Sequence, residues 1–406
     1  MKILLIHQSF VSPEEAGGTR HYEFARHCAQ HGVKLTIVAS DLNVLTGKPV
    51  VKLQGLFCRQ KIDGVEILRA KTYASLHRSF VWRVVSFLSF MVTSVYAGLR
   101  AGSVDMVMGT TPPIFQAFSA WLVAAIRRKP LLLEVRDLWP EFAIDMGVLK
   151  NPVLIVMSRW LERFLYWRAD HLLVNSPAYR DYLVEEKGIS PSKVTLISNG
   201  VNPDLFKPED RGEGFRSELG LNGKFVVTYA GAIGLANHIS TVLHAAKRLK
   251  DEQNLHFLFV GDGKERPRME EMAAQLGLGN VTFAGPRPKS RMPEVLAASD
   301  ACLATLKNIP MFRTTYPNKV FDYMAAGRPT LLAIDGVIRK VIEAANGGLF
   351  VPPGSDTALA EAIQTLVHKP EFGRQMGLAA RSYVERHFNR RDQADAFRKL
   401  LQRIAA

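Results

Sequence analysis

Short apolar segments alternate with amphipathic helical stretches along the chain, and after about residue 200 the alternation begins again. Candidate strands in the first half are Ile3–Ile6, Lys34–Ala39, Val65–Arg69, Met106–Met108, Leu131–Val135, Leu172–Asn175 and Val194–Ile197, with helical patterns such as Arg20–His31 and Pro152–Trp167 between them. In the second half the strands are Phe225–Ala230, His256–Val260, Val281–Ala284, Ala301–Ala304, Thr330–Ala333 and Gly348–Phe350. Helical patterns at Ile239–Leu249, Glu265–Leu276, Arg291–Ala298, Val320–Ala326 and Thr357–Val367 separate them. Strands joined through helices run parallel, because the crossover returns the chain to the same end of the sheet. The expected fold is therefore α/β, with two parallel-sheet domains. At 406 residues the chain is longer than one core usually serves, which agrees with two. The turn-rich segment Asn199–Pro208 reads as a linker or hinge, giving an N-terminal domain 1–200 and a C-terminal domain 201–385. A basic amphipathic helix over 386–406 is expected to pack back on the first domain.

Composition narrows the function. The three cysteines are far apart, which argues against a disulfide framework and fits a reducing cytoplasm. No Cys/His cluster has zinc spacing. The opening MKILLIHQSF is too short for a signal-peptide core and reads as a buried first strand, so a cytoplasmic location is expected. The formal net charge of +14 favours anionic partners. No zinc-finger, RRM-like or basic-zipper pattern accompanies it, so nucleic acid is not an expected partner.

In open α/β sheets ligands bind at the C-terminal strand ends, and the informative loops lie there. Gly17-Gly18-Thr19 follows the first strand and precedes a helix. Paired glycines let backbone approach a ligand, although a plain turn has the same sequence. Gly231-Ala232-Ile233-Gly234 leaves a strand and could wrap a phosphate with backbone N–H groups, without the lysine of a Walker A loop. Val260-Gly261-Asp262-Gly263 is a similar strand-end turn. Pro317 should open a helix that Gly327 ends. Its N-terminus, with Asn318 and Lys319, can hold a diphosphate, and Asp322 one turn on can accept ribose hydroxyls. The competing account is a capped surface helix with both side chains in solvent.

These blocks resemble the retaining family-4 glycosyltransferases of the GT-B fold, in the branch that builds bacterial O-antigens and capsules and includes N-acetyl-fucosaminyltransferase-like members. The resemblance rests on Gly17-Gly18, Thr110-Thr111-Pro112-Pro113, Glu134 to Glu141, Ser198-Asn199-Gly200-Val201, Val260 to Gly263 and Pro317 to Pro329, in order over nearly the whole chain. It implies two Rossmann-like domains facing a central cleft, the acceptor on the first and the nucleotide-sugar donor on the second. Gly231, Gly234, Gly261, Arg287, Thr314, Asn318, Lys319 and Asp322 would bind donor. Gly17, Gly18, Thr19 and Glu134 would bind acceptor, and Arg136, Asp137 and Lys319 would act in catalysis. Two departures stand out. Asp322 and Thr314 occupy positions where the family usually has glutamates, and Ala232, Leu235 and Asn237 stand where a basic residue often grips the diphosphate. Lys319, Arg313 or Arg287 would have to replace that cation.

The implied reaction moves a sugar from a nucleotide sugar, UDP-linked by expectation, to a polyprenyl-diphosphate-linked saccharide, with no metal and no cofactor. A UDP-sugar 2-epimerase of the same architecture and a non-catalytic peripheral membrane scaffold are the alternatives. The run FVWRVVSFLSFMVTSVYAGL at 80–99 is uncharged only from Val84 to Leu99, short of the roughly 20 residues a span requires. It reads as a buried core helix or as one lying on the inner-leaflet surface, with Trp82 and Arg83 at the headgroups and Phe87, Phe90 and Met91 toward lipid. Arg159, Arg163 and Arg168, interleaved with Trp160 and Trp167, would add a basic aromatic surface.

Overall fold

A computed structural model describes residues 1–43, 46–74 and 80–405, except the side chains of Phe80, Val81 and Arg83. The headgroup role expected of Arg83 thus lies outside the described residues. The chain divides into two compact units. The first holds Met1–Pro13, Gly18–Ser198 and Arg391–Ala406, and the second holds Glu14–Gly17 and Asn199–Arg390.

The strands of the first unit are β1 (Lys2–Ile6), β2 (Lys34–Ser40), β3 (Phe57–Ile62), β4 (Val65–Ala70), β5 (Met106–Thr111), β6 (Leu131–Val135), β7 (His171–Val174) and β8 (Val194–Leu196). They form one sheet in the order β3-β4-β2-β1-β5-β6-β7-β8. Its helices are α1 (Arg20–Gln30), α2 (Phe80–Leu99), α3 (Ile114–Arg127), α4 (Glu141–Asp145), α5 (Pro152–Arg168) and α6 (Pro177–Glu185). All pairings are parallel except β3 with β4. β3 is absent from the strands expected above. It has no continuous buried face, so the alternation that reveals a strand is missing. The turn that joins it to β4 was nonetheless written in the chain: Asp63-Gly64 takes φ of +47° and +84°, the geometry an Asp-Gly hairpin supplies.

In the second unit the strands are β9 (Phe225–Ala230), β10 (Leu255–Val260), β11 (Val281–Gly285), β12 (Ala301–Thr305), β13 (Thr330–Ala333) and β14 (Gly348–Phe350). They make an all-parallel sheet in the order β11-β10-β9-β12-β13-β14, the doubly wound order that reverses beside its first strand. Its helices are α7 (Glu213–Glu218), α8 (Ile239–Arg248), α9 (Arg266–Gln275), α10 (Met292–Ala297), α11 (Asn318–Ala325), α12 (Val337–Ala344), α13 (Asp356–His368) and α14 (Pro370–His387). The last helix is α15 (Arg390–Ala405).

Two expectations are corrected here. Asn199–Pro208 is not a free linker: Val201 and Phe206 lie in the second unit's core. The Arg381 guanidinium donates to the Pro203 and Phe206 carbonyls at 2.9 and 3.0 Å. Nor is the C-terminal end one helix from residue 386. Arg386 belongs to α14, and the chain breaks at Phe388-Asn389 before α15 begins. Phe397 of α15 stacks on Phe24 at 4.8 Å, and Leu400 and Leu401 join the first unit's core.

Candidate functional site

The order of the second sheet reverses between β9 and β12, so the loop leaving β9 stands at a topological switch point, where such sheets bind ligands. The β9 and β10 exits are pressed together backbone to backbone. Gly231 N–H donates to the Val260 carbonyl and Ile233 N–H to the Asp262 carbonyl, both at 2.9 Å. A methyl group on Gly261 would lie 1.8 Å from the Gly231 oxygen, and one on Gly263 would lie 2.4 Å from the Ile233 oxygen. Glycine is required at both by this approach. Asn237 Oδ1 accepts from Gly234 N–H at 3.1 Å, which closes the turn.

Helix α11 points its N-terminus into this region. Pro317 is its N-cap, and Gly327, at φ +65°, ends it as the sequence indicates. Tyr323, fully buried on α11, locks the helix to β9. Its hydroxyl accepts from Ala230 N–H at 3.0 Å and lies 3.2 Å from the Ala230 carbonyl and 3.3 Å from that of Leu303. That register fixes Lys319. Its ammonium sits 3.7 Å from the Tyr229 ring centroid, buried and without a hydrogen-bond partner. It fills the space that a side chain on Gly231 would take, 2.8 Å from the position of the missing Cβ. A cation–π contact contributes about 0.5–2 kcal/mol, far less than the burial of an ammonium costs. Burial accordingly pushes the Lys319 pKa down to about 7. Asn318 beside it leaves Oδ1 buried and unpaired. The expectation of solvated side chains on a plain capped helix is not met for Lys319.

The other donor-side candidates are engaged. Asp322 accepts from the Lys289 ammonium at 2.6 Å, both groups largely buried. Arg287 reaches Glu218 at 3.1 Å, and its guanidinium lies over the Phe215 ring. Thr314, in a short 3-10 turn at Pro310–Thr314, donates its hydroxyl to the Met311 carbonyl at 2.5 Å. Arg313 is exposed near Asp335, at 3.8 Å, so among these donor-side candidates Lys319 is the cation buried with neither a counter-ion nor a hydrogen-bond partner.

In the first unit the switch point lies between β1 and β5. Glu134, expected to touch an acceptor, is fully buried, with one oxygen 3.0 Å from Arg20 Nε and the other 2.5 Å from His21 Nε2. These partners hold its carboxyl far below the usual range despite burial. It ties β6 to α1 and has no free oxygen for substrate. Thr19 is corrected in the same way. It is buried as the N-cap of α1, and its hydroxyl is 2.5 Å from Glu23. Gly17, at φ +145°, falls in the second unit, whereas Gly18 is exposed in the first.

Arg136 and Asp137, just past β6, are half-buried and remain candidates. Burial raises the Asp137 pKa to about 6, with Arg136 and the Tyr179 hydroxyl, 3.4 Å away, pulling the other way. A carboxyl near neutrality beside a cation can hold or exchange a proton. Lys289, Tyr229 and Tyr323 carry much of this geometry and were given no role from sequence. Each is an ordinary residue in its own segment, and only the tertiary contacts reveal its use.

The family profile described as "Glycosyl transferases group 1" matches residues 212–383, and that of the "Glycosyl transferase 4-like domain" matches residues 16–200. The chain is 30% identical over 280 residues to the "Probable glycosyltransferase WbjE" of Pseudomonas aeruginosa, covering 67% of this chain and 68% of that one. It is 25% identical over 331 residues to the "Putative colanic acid biosynthesis glycosyl transferase WcaI" of Escherichia coli K12, covering 79% and 80%. Among solved structures, sucrose-phosphate synthase from Thermosynechococcus elongatus superposes with a TM-score of 0.77 at 19% identity, over 99% of this chain and 98% of that one. HepE of Anabaena in complex with UDP and glucose gives 0.73 at 17%, over 99% of both chains. The fold is GT-B. The chain belongs to the group 1 glycosyl transferases, and it is an enzyme of that class. The epimerase and scaffold alternatives give way to that membership.

Proposed function

We propose that the enzyme transfers a glycosyl group, with retention, from a UDP-sugar to a polyprenyl-diphosphate-linked saccharide during synthesis of a bacterial surface polysaccharide. The observation that carries this reading is the Lys319 ammonium, buried without a counter-ion against Gly231 at the start of α11. A diphosphate is the partner such a site lacks: helix N–H groups and one cation meet two phosphates. The UDP and glucose bound to HepE, and the colanic acid role in the WcaI name, support the donor and pathway class. In the proposed step the bond from anomeric carbon to diphosphate oxygen breaks as the bond to the acceptor oxygen forms on the same face. The acceptor proton passes to the leaving phosphate. Asp137, mostly ionised at neutral pH, orients the incoming hydroxyl, and Arg136 balances charge. Donor sites lie on the second unit and acceptor sites on the first. A panel of UDP- and GDP-sugars, read by nucleotide release with a membrane lipid extract as acceptor source, tests the reading. Turnover with a UDP-sugar is expected, and none with any donor would end it.

Asp322 serves the ribose. Its carboxylate is held by Lys289, so a pair of hydroxyls would share an already positioned anion. Asp322→Ala removes hydrogen bonds to a charged group; losing one costs about 1.5–3 kcal/mol, so UDP should bind at least about 10- to 100-fold more weakly by calorimetry. Unchanged affinity would remove Asp322 from the site.

The inner-leaflet contact is placed chiefly on α5, whose apolar residues are the more exposed. Phe90 of α2 is fully buried, and Phe87, partly buried, stacks on Phe115 of α3 at 6.0 Å, whereas Trp82, Leu88, Val92 and Tyr96 of the same helix are exposed. Helix α5 exposes Val153, Val156, Met157, Trp160 and Trp167 beside the exposed Arg163 and Arg168. Arg159 is spent on Glu141, with both bonds at 2.9 Å. No helix among the described residues is long and apolar enough to cross a membrane. An apolar face edged by arginines suits an anionic bilayer surface, where each basic residue adds about 1 kcal/mol. The protein should sediment with phosphatidylglycerol-containing vesicles more than with phosphatidylcholine alone. A Val156→Ser, Trp160→Ser, Trp167→Ser variant should lose most of that binding while staying folded. Equal sedimentation of variant and parent would exclude α5.

A further inference from the structure

His7 lies directly after β1, 2% exposed, at the switch point of the first sheet. Its Nε2 is 3.1 Å from Arg136 Nη1 and its Nδ1 is 3.0 Å from Thr110 Oγ1. A guanidinium can only donate. Nε2 must therefore accept, which places the ring proton on Nδ1, where it is donated to Thr110. Thr110 also receives Gln116 Nε2 at 2.8 Å, and the Gln116 amide is oriented by Gln8 N–H on its oxygen at 2.6 Å and by the Pro112 carbonyl at 2.9 Å. The result is a line of polar side chains, Gln116–Thr110–His7–Arg136, running from α3 through the ends of β5 and β1 to the residue after β6. Its direction is fixed from the backbone outward.

We propose that His7, in its Nδ1–H tautomer, is a positioning residue that sets the guanidinium of Arg136 for the transfer step. The inference rests on the reading above that Arg136 acts at the reacting site. A protonated ring would turn an N–H toward the guanidinium and break the contact. The groups that face the ring are Arg136, Thr110 and His21, whose ring centroid is 4.4 Å away and which is itself held by Glu134. Burial, with His21 and Arg136 close by, keeps the His7 pKa well below its ordinary value, so the accepting lone pair is available at neutral pH.

The two ring nitrogens can be tested separately. A glutamine side chain places its terminal amide near the Nε2 position, and an asparagine places its own near Nδ1. With the best UDP-sugar of the panel, His7→Phe and His7→Asn should lower kcat about tenfold or more, the cost of a misplaced catalytic group, with donor KM unchanged. His7→Gln should recover most of kcat. A role limited to tying β1 to β5 through Thr110 predicts the reverse order, with asparagine the better substitute, and that result would overturn the proposal. Adding His7→Asn to Arg136→Ala should cost nothing further, because His7 acts only through Arg136. If Arg136→Ala itself keeps full kcat, the reading of the site fails. If Arg136→Ala loses kcat while His7→Asn and His7→Phe keep it, the inference about His7 fails alone. Should His7→Phe not fold, the Gln and Asn pair still decides.

Discussion

Replacing Lys319 by alanine should lower turnover at saturating donor by about 10²- to 10³-fold, the usual effect of removing one preorganised stabiliser of developing charge. The charge develops on the leaving diphosphate, and the Lys319 ammonium is buried beside Gly231 with neither a counter-ion nor a hydrogen-bond partner. The same burial gives the prediction a pH signature. With a pKa near 7 in the donor-free enzyme, the side chain is about half neutral at neutral pH. A bound diphosphate favours the ammonium, so binding takes up a proton. Below pH 7 the lysine is already charged and affinity is level. Above it, protonation must accompany binding, and UDP affinity should fall toward about tenfold per pH unit. Calorimetry of UDP binding across pH 6 to about 9, in buffers of different ionisation heat, reads both the slope and the uptake. Lys319→Met should flatten the slope. A level UDP affinity in the parent enzyme together with near-normal turnover in Lys319→Ala would contradict this role.

The doubly wound sheets were legible because each buried parallel strand is a compact apolar run and each crossover helix carries an apolar stripe. Pro317 and Gly327 marked the ends of α11 by rules of local backbone geometry, and both ends fall there. The structure adds what no local rule encodes. Lys319 reads in sequence as a diphosphate ligand or a solvated surface cation, and its burial depends on Tyr229 from another strand and on the space left by Gly231. Glu134 reads as a strand-end carboxylate open to substrate, until Arg20 and His21 arrive from α1. The apolar run at 80–99 announced an apolar helix correctly. Which of its residues would face outward was decided by α3, which packs on Phe87 and leaves Leu88 and Val92 exposed, as it leaves much of α5. Charge and polarity give a residue's chemistry, whereas partners distant in sequence decide whether that chemistry is available.

Gly261→Ala should abolish detectable UDP binding, although it adds one methyl group and removes no functional atom. The new Cβ would lie 1.8 Å from the Gly231 carbonyl oxygen and 2.8 Å from its carbon. An ordinary carbon–oxygen contact is about 3.3 Å, so the two loops must separate by roughly 1.5 Å. Neither can give easily. Gly231 N–H is bonded to the Val260 carbonyl at 2.9 Å, and Gly261 N–H to the Gly285 carbonyl at 3.0 Å. Moving Gly231 also removes the wall against which Lys319 rests. A backbone clash of this kind costs about 3–5 kcal/mol, the upper end for single substitutions. For a unit of this size that lowers Tm by about 6–20 °C. Two neighbours separate local shape from stability. Gly234→Ala brings its methyl only to ordinary contact with Asn237 Oδ1, at 3.5 Å, and should leave Tm nearly unchanged. Gly231→Ala meets the flexible end of Lys319, at 2.8 Å, in a backbone conformation at φ +143° that alanine rarely adopts. It should keep more of the fold than Gly261→Ala yet match Lys319→Ala in turnover, because the ammonium is displaced. Parent-like UDP affinity in Gly261→Ala would mean that the β9 and β10 exits are not held together as the donor site requires.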